Sequence, residues 1–478
     1  MLFNSGVFFS FFFVVYTLYL LLNKKVRWQN FLLLVASYYF YGRWDWRFLT
    51  LIAISTVVDF FVGRAIGAVP VDTPVNLARR KRLLAVSMIV NLGILGFFKY
   101  FNFFATSFAD LISLVGLQAD FVTLNIILPV GISFYTFQTM SYTIDIYRQE
   151  LEPADSFLDF AVFVSFFPQL VAGPIERAVN LLPQVARTRH ITPEHIHTGF
   201  YLIIWGYFKK MVIADNVGQL ADSVFNNYTQ HEGLTILLGV VAFALQIYGD
   251  FSGYSNIARG ISRLMGFELM VNFRLPYFAL NPTDFWQRWH VSLSSWLRDY
   301  LYIPLGGNRG GKWSTYRNLM LTMLLGGLWH GAAWNFVIWG GFHGTILIIY
   351  RLLEKRPIHK DPWGGDFNWF VVAGRMLLMF ILTLIGWLIF RARSVDQIVY
   401  MLTHVSFKAS TTSQALLENI GFYAIPLVVI ELYQYASRDL LRLTRWPLLL
   451  RMVVYAVIVA WTLIFGARES LEFIYFQF

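Results

Sequence analysis

Long apolar stretches, separated by short polar connections, run along almost the whole chain of 478 residues. They cover residues 7–22, 48–58, 83–98, 160–175, 234–249, 376–390, 420–430 and 452–466. A full crossing of the hydrocarbon core takes about 20 apolar residues, and several of these stretches are shorter. The pattern therefore predicts an all-α polytopic membrane protein with roughly 10 to 13 transmembrane, re-entrant and interfacial helices.

One stretch, residues 319–350, contains no Asp, Glu, Lys or Arg, yet it carries His330 and His343. As a single helix it would extend about 48 Å, well beyond a core of about 30 Å. We therefore expect a broken segment whose second arm begins near Ala333, with His330 at the break. The expected interruptions are Gly326, Gly327 and Gly331.

Ionisable side chains at membrane depth usually face a protein interior or a water-filled path. A lone histidine there is about as often a satisfied core group, but two in one charge-free stretch favour a function. His343 follows His330 by 13 residues, which on a regular helix places it about 140° away. We therefore interpret His343 as a residue that supports the surroundings of His330 and takes no direct part in a reaction.

The composition supports burial in a membrane, because 57% of the residues are hydrophobic and only 14% are charged. The net charge of +10 comes from Lys and Arg in short loops, which indicates topology and not nucleic-acid binding. If these loops are cytoplasmic, the N-terminus lies outside, and residues 1–22 form a first membrane helix. The loops contain Lys24, Lys25, Arg27, Arg79, Arg80, Lys81, Arg82, Arg351, Lys355, Arg356, Lys360, Arg438, Arg442, Arg445 and Arg451. The absence of cysteine excludes disulfides and thiol nucleophiles.

The chain is interpreted as one membrane domain, residues 1–478, with N-terminal helices in 1–120, a core in 121–352 and C-terminal helices in 353–478. The long connection 274–317 carries an aromatic stripe at helical spacing. Its polar side is next to His290. The stripe consists of Trp286, Trp289, Leu293, Trp296 and Tyr300, and the polar side of Arg288, Ser292 and Ser295. An interfacial helix whose arginines meet lipid headgroups is the alternative to a functional loop.

Three further stretches, 128–138, 167–177 and 248–256, combine polar groups with Gly or Pro in apolar surroundings. Interrupted membrane helices free backbone groups to line a cavity. Asp250 has no adjacent basic residue, so it either contacts substrate or pairs with a distant arginine.

Together these segments resemble the membrane-bound O-acyltransferase family, and within it a bacterial branch that acetylates polysaccharides. The likeness runs from Ala36 to Gly344 and is weak after about residue 353. It rests on Phe167-Pro168-Gln169, Ala172-Gly173-Pro174-Ile175, Asp250-Phe251-Ser252-Gly253-Tyr254-Ser255, Phe285-Trp286-Gln287-Arg288-Trp289-His290-Val291-Ser292-Leu293-Ser294 and Leu328-Trp329-His330-Gly331.

The resemblance implies a ring of helices around a thinned centre, where a funnel from each face meets a catalytic histidine, His330, with His290 as the second family residue. It implies acetyl-coenzyme A as donor, with no tightly bound cofactor and no metal. The acceptor would be an extracytoplasmic, alginate-like polysaccharide or a periplasmic SGNH-type acetyltransferase that relays the acetyl group. The expected location is the bacterial inner membrane.

A hydroxyl acceptor is a poor nucleophile, so a base must remove its proton as the ester forms. Burial disfavours the imidazolium form of histidine, which suits His330 to that task, with His290 orienting the acceptor or stabilising developing charge. Candidate substrate contacts are Arg288, Ser292, Asp250, Asn308, Arg309 and Asn335. Arg309, Lys312 and Arg317 either form a basic mouth for coenzyme phosphates or only fix the topology.

Two functions of other classes remain alternatives. A transporter or export subunit would also use broken helices and buried polar groups, although it would usually show matching halves, which this sequence lacks. A scaffold that recruits a soluble acetyltransferase would have no chemistry of its own.

Overall fold

The computed structural model describes residues 1, 3–116, 124, 126–171, 173–353, 368–467 and 472–474. Within these ranges the chain is helical, with 3₁₀ and π-helical turns between some helices and an isolated bridge between Gly233 and Val405 in place of any β-strand. The all-helical prediction is confirmed. Ala172 of the 167–177 motif and the loop residues Lys355, Arg356 and Lys360 lie outside the described ranges.

The α-helices are α1 (Gly6–Leu21), α2 (Val26–Asp45), α3 (Leu49–Gly67), α4 (Pro74–Leu95), α5 (Phe101–Ser113), α6 (Ile132–Tyr147), α7 (Phe157–Ser165), α8 (Phe167–Leu170), α9 (Ala178–Ala186), α10 (Pro193–Tyr207), α11 (Asp215–Phe225), α12 (Leu234–Leu264), α13 (Pro282–Arg288), α14 (Val291–Leu297), α15 (Gly311–His330), α16 (Trp334–Leu353), α17 (Trp369–Arg391), α18 (Val395–His404), α19 (Thr411–Ser437) and α20 (Leu448–Phe465).

Seven helical segments of the described chain are long and apolar enough to cross a membrane, which confirms a multi-pass membrane protein. Two of them, of 42 and 40 residues, each join two helices and are long enough for two crossings. The segments are Val26–Gly67, Pro74–Ser113, Leu234–Leu264, Trp334–Leu353, Trp369–Arg391, Thr411–Ser437 and Leu448–Phe465. The orientation of the N-terminus and the central funnel stay predictions.

The helices cluster into two compact units, and the first comprises Met1–Phe200 and Ala258–Met270. Polar side chains join its helices internally. The carboxylate of Asp59 on α3 accepts hydrogen bonds from Ser87 Oγ at 2.5 Å and from Asn91 Nδ2 at 2.8 Å, both on α4. Buried hydrogen bonds of this kind hold transmembrane helices together, because the hydrophobic effect does not favour helix association within lipid.

The second unit comprises Tyr201–Ile257 and Val271–Phe478. Its centre is the helical hairpin of α15 and α16, against which α17 also packs. Lys209 binds Glu431 of α19 at 2.9 Å inside this unit. All of the catalytic candidates lie in this second unit. The division of the chain into one domain with three sequential parts stays a prediction.

Candidate active site

The charge-free stretch is broken directly after His330, as predicted. Helix α15 ends at this residue, Gly331 is extended with φ −161° and ψ 150°, and α16 begins at Trp334. A side chain at position 331 would collide with the ring of Phe336, so only glycine fits there. His330 therefore occupies the last position of a helix at a sharp reversal of the chain.

The predicted interruption at Gly326 and Gly327 is wrong, because α15 runs through both residues without a break. Their use is close packing. A Cβ atom at Gly327 would lie 3.1 Å from the amide nitrogen of Gly340 and would collide with the carbonyl oxygen of Phe336. The two arms approach each other at these glycines, as small residues allow in membranes.

His330 is 5% exposed and is held among aromatic rings. Its ring centroid lies 5.0 Å from Trp329, 5.0 Å from Trp339 and 5.4 Å from Phe390. These three rings fix the orientation of the imidazole. The histidine nevertheless contributes to the wall of a cavity of about 750 Å³, so a ligand in that cavity can reach it.

One face of α15 forms a wall of this cavity. The lining residues on this helix are Leu319, Thr322, Met323, Gly326 and His330, which recur every three or four positions. From Leu319 to His330 the helix rises about 16 Å. Helix α16 returns from the break and contributes Trp339, Leu347, Tyr350 and Arg351. The cavity thus follows the hairpin, with His330 near the break and Arg351 towards the other end.

The cavity wall is basic. Arg274, Arg298 and Arg351 line it, and no Asp or Glu of the described residues does. Arg351 donates to Oδ1 of Asn308 at 3.2 Å, and the hydroxyl of Tyr302 donates to the same oxygen. The charge of Arg298 is partly offset by Asp299, 2.6 Å away. A basic wall of this kind favours an anionic ligand.

His290 lies beside His330, with ring centroids 6.4 Å apart. It is fully buried, and its ring also contacts Phe251 at 4.6 Å and Trp329 at 5.8 Å. Burial lowers the pKa of His290 from 6.5 to about 3. This side chain is therefore neutral at physiological pH, and its ring is a close neighbour of the ring of His330.

The helix predicted around His290 is in fact broken at that residue. Helix α13 ends at Arg288, and α14 begins at Val291, because His290 has left-handed backbone angles of φ 42° and ψ 54°. Trp289 and Trp296 are only 1% and 5% exposed. These stripe residues pack against protein groups, which contradicts the interfacial interpretation.

Asn308 and His330 are the candidates that the structure places in the cavity wall, whereas the other six candidates, including the buried His290, lie outside that wall. Arg288 binds Asp284 at 2.7 Å. The hydroxyl of Ser292 donates to Oδ1 of Asn272 at 3.0 Å. These bonds give both side chains a structural use next to His290.

Asp250 pairs with Lys210 at 2.8 Å and accepts the backbone N–H of Ile474 at 2.7 Å. Asn335 donates to the carbonyl oxygen of Phe390 at 3.0 Å, which ties the start of α16 to α17. Arg309 is exposed. Of the two interpretations of Asp250, a substrate contact or an ion pair with a distant arginine, the structure agrees with an ion pair, although the partner is a lysine.

His343 lies on α16 outside the cavity lining and is 2% exposed. Its ring contacts Trp339 at 4.6 Å and Trp286 at 5.1 Å. Because Trp339 touches both His330 and His343, the second histidine supports the wall behind the first.

Sequence reasoning missed the three arginines of the cavity wall and Trp339. The charge pattern indicates only a topological role for Arg351, and it indicates none for Arg274 and Arg298. Their convergence depends on tertiary structure, since they are spread over 78 positions of sequence. A partial signal was available for Trp339, which stands nine positions after His330 in the same charge-free stretch.

The sequence of this chain is similar to that of known proteins. The family model of the membrane-bound O-acyltransferases (MBOAT) matches residues 14–386. The chain is 41% identical to the probable alginate O-acetylase AlgI of Azotobacter vinelandii, over 92% of this chain and 85% of that protein. It is 43% identical to the probable alginate O-acetylase AlgI of Pseudomonas aeruginosa, over 86% of this chain and 76% of that protein.

A relative with another named acceptor aligns over the whole length. The peptidoglycan O-acetyltransferase of Helicobacter pylori is 34% identical over 100% of this chain and 98% of that protein. The family match covers the broken hairpin, the cavity wall and both histidines. The chain therefore belongs to the membrane-bound O-acyltransferase family and is an O-acyltransferase.

Proposed function

We propose that this protein transfers an acetyl group from cytoplasmic acetyl-coenzyme A across the membrane to a hydroxyl of an extracytoplasmic polysaccharide or of a periplasmic relay acetyltransferase. The observation that supports this most is the position of His330 in the wall of a cavity that also carries three arginines. A proton acceptor and an anion-binding wall then share one space.

In the proposed reaction His330 acts as general base. It takes the proton from the acceptor hydroxyl while the oxygen attacks the thioester carbonyl and a C–O bond forms. The C–S bond then breaks, and the coenzyme thiolate takes the proton from the imidazolium. The products are an acetyl ester and free coenzyme A, and the base is regenerated without any resident cofactor.

His290 is the proposed partner of His330. A neutral imidazole can donate one hydrogen bond, either to the acceptor oxygen or to the oxyanion of the tetrahedral intermediate. Removal of its ring is expected to reduce turnover strongly, whereas unchanged kinetics would show that His290 only packs. The 6.4 Å separation of the two ring centroids supports this role, since it places the two imidazoles next to each other.

The proposed donor site extends from His330 to Arg351. The lining along α15 spans about 16 Å, a length that suits the long, narrow pantetheine arm of a coenzyme A thioester. Arginine binds phosphate groups through paired N–H donors. Arg351 would therefore hold the nucleotide end, while the acetyl group reaches the histidines.

The acceptor is proposed from the names of the relatives. Alginate is the first choice, because the relatives at 41% and 43% identity are named for it. Peptidoglycan is the second, from the relative that aligns over the whole chain. The proposed location is a bacterial inner membrane with the N-terminus outside, which places the Lys and Arg loops, including Arg351, in the cytoplasm.

The test supplies radiolabelled acetyl-coenzyme A to membranes that contain this chain and its neighbouring gene products. Label is expected in a polysaccharide or in a relay protein, and far less label when His330 is replaced by alanine. Polysaccharide movement into liposomes without any acetyl transfer would instead identify a transporter. Release of free coenzyme A by the purified chain alone would exclude a scaffold without chemistry.

A further inference from the structure

The backbone of His290 adopts a conformation that side-chain-bearing residues seldom take. Its angles of φ 42° and ψ 54° lie in the left-handed region, which is unfavourable for residues other than glycine. No glycine or proline adjoins it in the sequence. Such strain persists only when the surrounding structure imposes it, and it is concentrated at functional sites.

Two backbone hydrogen bonds impose the conformation from one neighbouring segment. The N–H of Val291 donates to the carbonyl oxygen of Asn272 at 2.9 Å, and the N–H of Arg274 donates to the carbonyl oxygen of Arg288 at 2.9 Å. The strained residue lies between these two bonds. Residues 272–274 thus act as a clamp on either side of the helix break.

The side chain of Asn272 adds three further bonds to the clamp. Its Oδ1 accepts the N–H of Ser292 at 3.3 Å and the hydroxyl of Ser292 at 3.0 Å. Its Nδ2 donates to Ser255 Oγ on α12 at 3.3 Å. Asn272 is 1% exposed, so water cannot replace these partners if they are lost.

We propose that Asn272 is a positioning residue for the transfer reaction, which holds the first turn of α14 so that the ring of His290 stays beside that of His330. The proposal rests on the proposed function, since it gives His290 a part in turnover. Asn272 belongs neither to the cavity wall nor to the rings around His330. Its Oδ1 binds the backbone and hydroxyl of Ser292, close to His290, and its Nδ2 anchors it to Ser255 on α12. It therefore acts through the chain segment that carries His290, and not by contact with a ligand in the cavity.

The test is a double-mutant cycle with Asn272→Ala and His290→Ala, measured as acetyl incorporation by membranes at known protein content. Asn272→Ala is expected to lower kcat about 10- to 100-fold, because a shift of about 1 Å at a catalytic group costs that much. The KM for acetyl-coenzyme A should change less than about twofold, since Arg351 of the proposed donor site lies towards the other end of the cavity. In the His290→Ala background the same substitution should lower kcat by no more than about twofold, since coupled residues are not additive.

Asn91→Ala serves as the matched control, because Asn91 is also an asparagine with 1% exposure but lies on α4 in the other unit. It should reduce thermal stability without lowering kcat. If Asn272→Ala does not fold, Ser292→Ala removes one bond to Oδ1 and leaves the backbone bonds in place, and the same cycle applies.

The outcomes separate this proposal from the one on which it rests. Equal, independent losses in both backgrounds, or an unchanged kcat in Asn272→Ala, would overturn the positioning role. Wild-type turnover in His290→Ala would overturn it as well, while leaving acetyl transfer by His330 intact. Absence of acetyl transfer by the wild-type protein would refute the proposed function itself.

Discussion

The close approach of α15 and α16 gives a prediction from two adjacent glycines. A Cβ atom at Gly340 would lie 3.0 Å from the Cα of Leu324 and still closer to the carbonyl oxygen of Met323. Ordinary contact begins at 3.4 Å, so Gly340→Ala must move the two helices apart by at least 0.4 Å. A Cβ atom at Gly341 would meet one atom of Leu324 at 3.7 Å, which needs no movement.

The separation caused by Gly340→Ala should reach the active site, because position 340 follows Trp339, whose ring contacts His330. A displacement of a few tenths of an ångström to 1 Å is expected to lower kcat about 10- to 100-fold. Overpacking costs about 1–3 kcal/mol, which should outweigh a gain in helix propensity of about 1 kcal/mol and lower the melting temperature. Gly341→Ala has the same propensity gain without the collision.

The assay compares both variants in acetyl incorporation and in thermal unfolding of the purified proteins. Gly341→Ala should keep kcat within about twofold of the wild-type value and melt at an equal or higher temperature. If both variants lost activity to the same degree, or if both kept it, the helix contact would not position His330.

Further predictions concern the cavity and His290. Arg351→Gln should raise the KM for acetyl-coenzyme A about tenfold with little change in kcat. The control Arg445→Gln, at an exposed position, should leave both constants unchanged. Equal effects of the two substitutions would contradict a role of the cavity arginines in donor binding. Leu319→Trp adds bulk inside the cavity and should strongly reduce acetyl transfer. Leu325 lies on the same helix but is exposed and outside the cavity lining, so Leu325→Trp should not reduce it. The measurement is the initial rate of transfer at a low concentration of acetyl-coenzyme A. The pKa of His290 is about 3 in the folded protein and 6.5 in the unfolded chain, so the unfolded chain binds the proton more tightly. The folded state therefore loses stability as the pH falls from 6.5 towards 3, and the loss at pH 5 is about 2 kcal/mol. His290→Gln should make the melting temperature less sensitive over that range, and an unchanged pH dependence would show that His290 is not buried as a neutral group.

The break after His330 could be predicted from the sequence because length and glycine content both required one. A charge-free stretch of 32 residues cannot form a single crossing, and Gly331 stood where the chain had to turn. The same reasoning failed at Gly326 and Gly327. Sequence alone does not separate a glycine that interrupts a helix from a glycine that lets a second helix approach.

The surroundings of His290 were harder to predict. The spacing of Trp289 and Trp296 indicates an apolar face, but it does not say whether that face meets lipid or protein. The break at His290 has no glycine or proline to mark it, since it is imposed by hydrogen bonds from residues 272–274. The cavity arginines converge through folding, which neither charge runs nor periodicity reveal.

The central claim is that His330 is the base for acetyl transfer, and the rate of acetyl transfer by His330→Ala tests it most directly. The measurement uses purified protein whose thermal unfolding matches the wild type, with His343→Ala as a control for loss of a buried histidine outside the cavity wall. The rate should fall about 10²- to 10⁴-fold in His330→Ala, as loss of a general base requires, and by far less in the control. A rate within tenfold of wild type in His330→Ala would contradict the claim.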